Sequence, residues 1–294
     1  MAATIASTSA AVDVRITWSD LPDHVRVAVE AILGGPVVSA AFQAGGFSPG
    51  TADRVVTAAD HRAFVKAVSR AQNQRSPEIH RSEAAIAARL PATQHAPRLL
   101  GSYDDGEWVA LVLEDVDGRH PVTPWDPTEL HTVLTSLNAL TAALTPAPIV
   151  DVPSAEQALT SDFAGWARLA ADLPGGLDPW AAARLDELAG CAELGLRSLQ
   201  QGDSLVHADL RADNLLLRGD GTVAFVDWPW ACIGLAWLDV LLLLVGPGLA
   251  RRILPRRRRE AGRGGTSDTA GLPTTPGRQH PGVAQGTDVI ACVS

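Results

Sequence analysis

The sequence predicts an α+β fold, an antiparallel sheet with one helix followed by a mostly helical half, and three observations carry this. Short apolar runs of strand length, punctuated by Gly, Asp and Pro, recur between residues 37 and 113. Between residues 130 and 199 the apolar spacing turns helical, with Pro/Gly breaks between segments. Two apolar runs, 215–217 and 223–226, then flank Arg218-Gly219-Asp220-Gly221-Thr222 and read as a hairpin with polar residues at both ends.

In chain order, residues 1–17 read as a flexible lead with no basic stretch ahead of an apolar core, so not as a signal peptide. Ser19 can cap a helix reaching Leu33, because Val25, Val29, Ile32 and Leu33 share one face and Gly34-Gly35 stops it. Strands are expected over 37–42, 53–57 and 63–68. Between the first two lies the loop Gly45-Gly46-Phe47-Ser48-Pro49-Gly50, whose backbone N–H groups can cradle an anion. A helix ends the stretch 73–90, with Pro77 near its start and an apolar stripe of Ile79, Ala84, Ile86, Ala87 and Leu90. Strands 97–102 and 108–113 meet at the turn Tyr103-Asp104-Asp105-Gly106. Residues 18–113 thus form an N-terminal lobe, and 114–120 a linker in which Asp115 and Asp117 read as linker polarity. Helices follow over 130–144, 155–173 and 179–199, and with the hairpin they make a lobe over 121–250. The apolar run 228–250 contains Pro229, Asp239 and Pro247, so it reads as a buried helix rather than a membrane span.

With 294 residues the chain is long enough for a large core, and its net charge of −9 argues against a general nucleic-acid binder. Three scattered cysteines, Cys191, Cys232 and Cys292, have no C-x-x-C spacing, so neither a zinc site nor a disulfide framework is expected and a reducing cytoplasm fits. Residues 251–294 differ in kind. They hold eight Arg against Glu260, Asp268 and Asp288, which leaves −14 for residues 1–250, and they show no sustained period. A disordered or aberrant tail is expected, native or produced by a frameshift near 245–248.

The polar residues of the hairpin are His207, Asp209, Asn214 and Asp227. His-x-Asp-x-x-x-x-Asn followed by a strand and an Asp is the spacing of a kinase catalytic loop and its metal-binding carboxylate. HADLRADN with FVDW resembles the aminoglycoside phosphotransferase-like small-molecule kinases, a branch of the protein-kinase-like fold. The resemblance covers about 18–245. It implies a two-lobe fold, ATP and Mg²⁺ as cofactors, and a small hydroxyl acceptor. Asp209 is the implied catalytic base, and Asn214 and Asp227 are the implied metal ligands. Asp-Trp-Pro at 227–229 stands where protein kinases have Asp-Phe-Gly, which favours a small-molecule substrate. Adenine would lie against the linker backbone at Glu114 and Val116, and the phosphates under Gly45, Gly46 and Ser48. His207 is expected to pack under the loop, and Asp239, in Trp237-Leu238-Asp239, to anchor structure.

Lys66 is the only lysine in the chain, against 23 Arg. It survives in Phe64-Val65-Lys66, on the strand where kinases keep a phosphate-binding lysine, a site where a guanidinium is a poor replacement. Glu83 is the expected partner, with Glu78 as runner-up. The first functional expectation is a phosphotransferase for a cationic, aminoglycoside-like acceptor. It involves no nucleic acid or membrane, and the oligomeric state is not legible. Its rivals are an inactive truncated kinase remnant and a nucleotide-binding interaction protein.

Overall fold

A computed structural model describes residues 15–43 and 49–245. These residues fall into two compact units, one of 15–158 with 199–245 and the other of 159–198.

The first unit begins with a 3-10 turn, Trp18–Asp20, and helix α1, Asp23–Leu33. Ser19 is therefore not the cap of α1. Asp20 instead accepts the Thr17 N–H at 2.8 Å and closes the turn, and Pro22 then opens the helix. Five strands follow: β1 Val37–Phe42, β2 Thr51–Thr57, β3 Arg62–Ser69, β4 Leu99–Asp104 and β5 Trp108–Glu114, with α2, Ser76–Ala87, between β3 and β4. They form one antiparallel sheet in the order β1-β2-β3-β5-β4. Period-two alternation splits β3 and β5 between two cores. Ala63, Val65, Ala67, Ala110 and Val112 pack with Val25, Val29 and Leu33 of α1. Phe64, Val109, Leu111 and Leu113 face Ala84 and Ala87 of α2.

After the linker comes α3, Pro127–Ala143, capped by Asp126, which accepts the Thr128 N–H at 2.9 Å and the Glu129 N–H at 3.1 Å. The expected hairpin is present as β7, Leu215–Leu217, and β8, Val223–Phe225. It shares a core with Val133, Leu137 and Leu140 of α3 and with Trp125 and Trp228. The run 228–250 is not one helix. Cys232–Gly234 forms β9 and pairs with β6, Ser204–Val206, and only then does α8, Leu238–Val245, begin. Apolar β-branched and small residues around Gly234 fit a short buried strand as well as a helix, and pairing decided the matter. No described helix is long and apolar enough to cross a membrane.

In the second unit the two expected helices are each broken. The first gives α4, Ala155–Phe163, which begins in the first unit, and α5, Gly165–Ala171; the second gives α6, Pro179–Ala182, and α7, Leu185–Ser198. Asp178 caps α6, accepting the Trp180 N–H at 2.9 Å. Cys232 is a buried free thiol. The expected tail at 251–294 lies outside the described residues, as does most of the lead at 1–17.

Candidate functional site

Which way Lys66 points follows from the alternation of β3. Its neighbours Val65 and Ala67 are buried toward α1, so Lys66 shares the opposite face with Phe64 and meets α2. There Ser76, His80, Glu83 and Ala87 form the buried stripe. Lys66 Nζ lies 2.9 and 2.8 Å from the two oxygens of Glu83 and 2.7 Å from Oδ1 of Asp227. Glu78, the runner-up, is on the exposed side and pairs with Arg70 at 2.6 Å and Arg81 at 2.9 Å.

Burial alone would lower the Lys66 pKa, but the carboxylates of Glu83 and Asp227 outweigh it and hold it above the ordinary lysine value. Burial raises Glu83. Asp227 is also desolvated, yet the Lys66 charge keeps it below the usual carboxylate range. The ammonium is therefore a fixed positive charge between two elements distant in sequence.

Asp227 follows β8 with φ at +71°, and Ala208 sits at +63°. Both conformations are uncommon for residues with a Cβ and need outside support. For Ala208 it comes from Asp239 at the start of α8, whose two oxygens accept the N–H groups of His207 at 2.8 Å and Ala208 at 2.9 Å. His207 is fully buried; its Nε2 meets the Val226 carbonyl at 2.9 Å and its Nδ1 accepts the Asp209 N–H at 3.3 Å. It holds the loop by its backbone.

Asn214 comes next, at the end of a 3-10 turn, Ala212–Asn214. Its Nδ2 donates to the Asp209 carbonyl at 2.9 Å and to Asp209 Oδ2 at 3.3 Å. The amide nitrogen is thereby committed, and Oδ1 is the atom left to act as a ligand. Burial raises the Asp209 pKa, with Arg211 at 3.7 Å pulling the other way.

A cavity of about 360 Å³ joins these groups. Lys66, His80, Glu83, Asn214 and Asp227 line one part; Arg54, Phe64, Leu113, Glu114, Val116 and Leu216 line another. Asp209 is not on its wall and connects to it through Asn214. Gly45, Gly46 and Ser48 lie outside the described residues, while Pro49 and Thr51 beside them do line the cavity.

Four participants, Asp115, Arg54, His80 and Ser82, were not legible in the sequence. Asp115 is more than linker polarity: it is almost wholly buried and pairs with Arg54 at 2.6 Å and Arg62 at 2.8 Å. Arg54 also donates to the Val116 carbonyl, so β2 is tied to the linker. His80 donates to the Ser76 carbonyl at 3.0 Å, and burial beside Lys66 pushes its pKa down to about 4. Ser82 donates to the Pro229 carbonyl at 2.7 Å. An arginine three residues into a strand, or a serine before a glutamate, carries no sequence signal of its own; only the folded chain brings such residues to their partners.

Comparison with known proteins bears on the family and the fold. The phosphotransferase enzyme family matches residues 44–277, past Val245, where the sequence resemblance was expected to stop. No curated protein matches the chain. Among solved structures, a thermostable mutant of aminoglycoside phosphotransferase APH(4)-Ia in ternary complex with ADP and hygromycin B has a TM-score of 0.51 at 16% identity, over 74% of this chain and 75% of that one. A second thermostable mutant of that enzyme, in complex with AMP-PNP and hygromycin B, has a TM-score of 0.50 at the same 16% identity, again over 74% of this chain and 75% of that chain. At such identity the likeness is one of fold, and it is the protein-kinase-like fold. The family match covers most of the chain, and the chain therefore belongs to the phosphotransferase enzyme family.

Proposed function

We propose that this protein is an ATP- and Mg²⁺-dependent phosphotransferase acting on a hydroxyl group of a small molecule, with an aminoglycoside-like acceptor as the first choice. The observation that carries the reading is the Lys66 ammonium held between Glu83 and Asp227 on a cavity that also presents Asn214. The donor set suits Mg²⁺. Asn214 keeps its amide Oδ1, Asp227 bonds Lys66 through Oδ1 alone, and hard oxygen ligands in small number are what this ion takes from a protein. When bound, Mg²⁺ supplies charge neutralisation on the phosphate oxygens.

In this reading Lys66 binds phosphate oxygens while Glu83 fixes its position. The linker at Glu114 and Val116 receives the base, with Gly45, Gly46 and Ser48 assigned to the phosphates. Asp209 orients the acceptor hydroxyl and takes its proton as the oxygen attacks the γ-phosphorus. The bond to the bridging oxygen breaks and ADP leaves. The raised pKa of Asp209 suits a base, since a proton acceptor works best as its pKa approaches the working pH. The net charge of −9 favours a polycationic acceptor, and the two aminoglycoside phosphotransferase mutants of like fold hold hygromycin B. A cytoplasmic location accords with this reading.

The test is phosphate transfer from ATP, with and without Mg²⁺, to a panel of aminoglycosides and simpler amino alcohols. Mg²⁺-dependent transfer to one class supports the reading. Tight ATP binding with no transfer to any compound would overturn it in favour of a nucleotide-binding protein.

A further inference from the structure

Helix α2 grips the segment after β8 at two consecutive residues. Ser82 Oγ donates to the Pro229 carbonyl at 2.7 Å, while Glu83 holds Lys66, which in turn holds Asp227. The Trp228 N–H is also directed at the Glu83 carboxylate. From the other side, the Trp228 indole donates to the Phe225 carbonyl at 2.8 Å, and its ring centre lies 4.6 Å from that of buried His207. Asp227 thus stands at positive φ between two fixed points, a backbone state that persists only where the surroundings determine it.

The two ties from α2 differ in kind. The bond from Lys66 to Asp227 joins charged groups, so metal or phosphate competes for both of its ends. The bond from Ser82 to Pro229 is neutral and lies on the backbone beyond Asp227; it persists when the carboxylate changes partner. We infer that Ser82 is a positioning residue, one that holds the backbone of residues 227–229 so that the Asp227 carboxylate stays aimed at the metal. This rests on the proposal that Asp227 is a metal ligand. A serine serves because its short side chain reaches a carbonyl without filling the space beside the glutamate that follows it.

Calorimetric titration of the full chain with AMP-PNP, in Mg²⁺ and in EDTA, tests this. Ser82→Ala is expected to raise Kd about tenfold in Mg²⁺, the scale of one lost hydrogen bond, and less than about twofold in EDTA. Ser82→Thr keeps the hydroxyl and is expected to restore the Mg²⁺ value. Should the alanine variant not fold, Ser82→Cys, of similar size but a weak donor, carries the same expectation at smaller amplitude. Equal losses in Mg²⁺ and EDTA would reduce Ser82 to a structural contact of α2, and no loss would remove its role; either overturns the inference alone. Wild-type protein whose AMP-PNP affinity ignores Mg²⁺ would overturn the phosphotransferase reading, and this inference with it.

Discussion

At the scale of single residues the site depends on one cation and the carboxylates around it. Lys66 is a point charge in a slot shaped by Glu83 and Asp227, and a planar guanidinium cannot meet both at the same distances. Lys66→Arg is expected to lower kcat/KM by about 100-fold, measured against the best acceptor found. Asp209→Asn should lower kcat by about 100-fold or more and leave nucleotide affinity unchanged, because it removes the proton acceptor and keeps the shape. Asp227→Ala should instead abolish Mg²⁺-dependent nucleotide binding; equal affinity losses in these two variants would contradict the division of roles. His80 gives a pH effect. It is neutral and buried with a pKa near 4 when folded, against 6.5 when exposed, so the unfolded chain binds more protons between those values. Its contribution is therefore present above pH 6.5 and lost as pH falls toward 4, by up to about 3 kcal/mol. Urea unfolding of wild type and His80→Asn across pH 4 to 7 checks this, and the variant should show the shallower dependence. Lys66, Glu83, Asn214 and Asp227 were legible because their chemistry fixes both residue type and spacing. Ser82, Arg54 and His80 were not, because they act through partners 147, 61 and 4 residues away that only folding selects.

At the scale of elements the site is a set of strand ends and loops held by polar anchors. The hairpin β7–β8 was legible from its turn residues, whereas β6 and β9 were not, since three apolar residues carry no period of their own. That unrecognised pair brings α8 to the loop it anchors: β9 returns the chain to β6, and Asp239 then reaches His207 and Ala208. Asp239→Ala leaves the buried His207 N–H and the half-buried Ala208 N–H without an acceptor, the second on a residue at positive φ. A loss of about 2 to 4 kcal/mol in unfolding free energy is expected by denaturant titration. Gly50, one residue before β2, makes a different demand. Its φ is +94°, and a Cβ there would lie 2.2 Å from the Ala67 carbonyl oxygen on β3. Gly50→Ala must therefore part β2 from β3 one residue from Lys66, and is expected to weaken nucleotide binding along with stability. Normal nucleotide affinity in a folded Gly50→Ala protein would show that this end of the sheet does not shape the cavity.

At the scale of the molecule, every described residue assigned to the site belongs to one unit, residues 15–158 with 199–245, while α5, α6 and α7 belong to another. The sequence divides the chain by strand and helix content instead, with the linker as the boundary, while contacts through Lys66, Ser82 and the Arg119–Leu217 bridge put the hairpin and the sheet in one compact unit. This stitching makes a prediction about ligand binding. A ligand that binds only the closed site adds its binding free energy to every opening that breaks the site, about 2.7 kcal/mol at one hundred times Kd. It adds nothing to an opening that leaves the site whole. With saturating AMP-PNP and Mg²⁺, amide hydrogen exchange should therefore slow in β3, α2 and the β7–β8 hairpin together, and stay unchanged over residues 165–198. Slowing confined to β3 and α2 would mean that the hairpin opens separately from the sheet, and that Lys66 and Asp227 are not held as one site. Slowing over residues 165–198 with nucleotide alone would mean that the two units open as one.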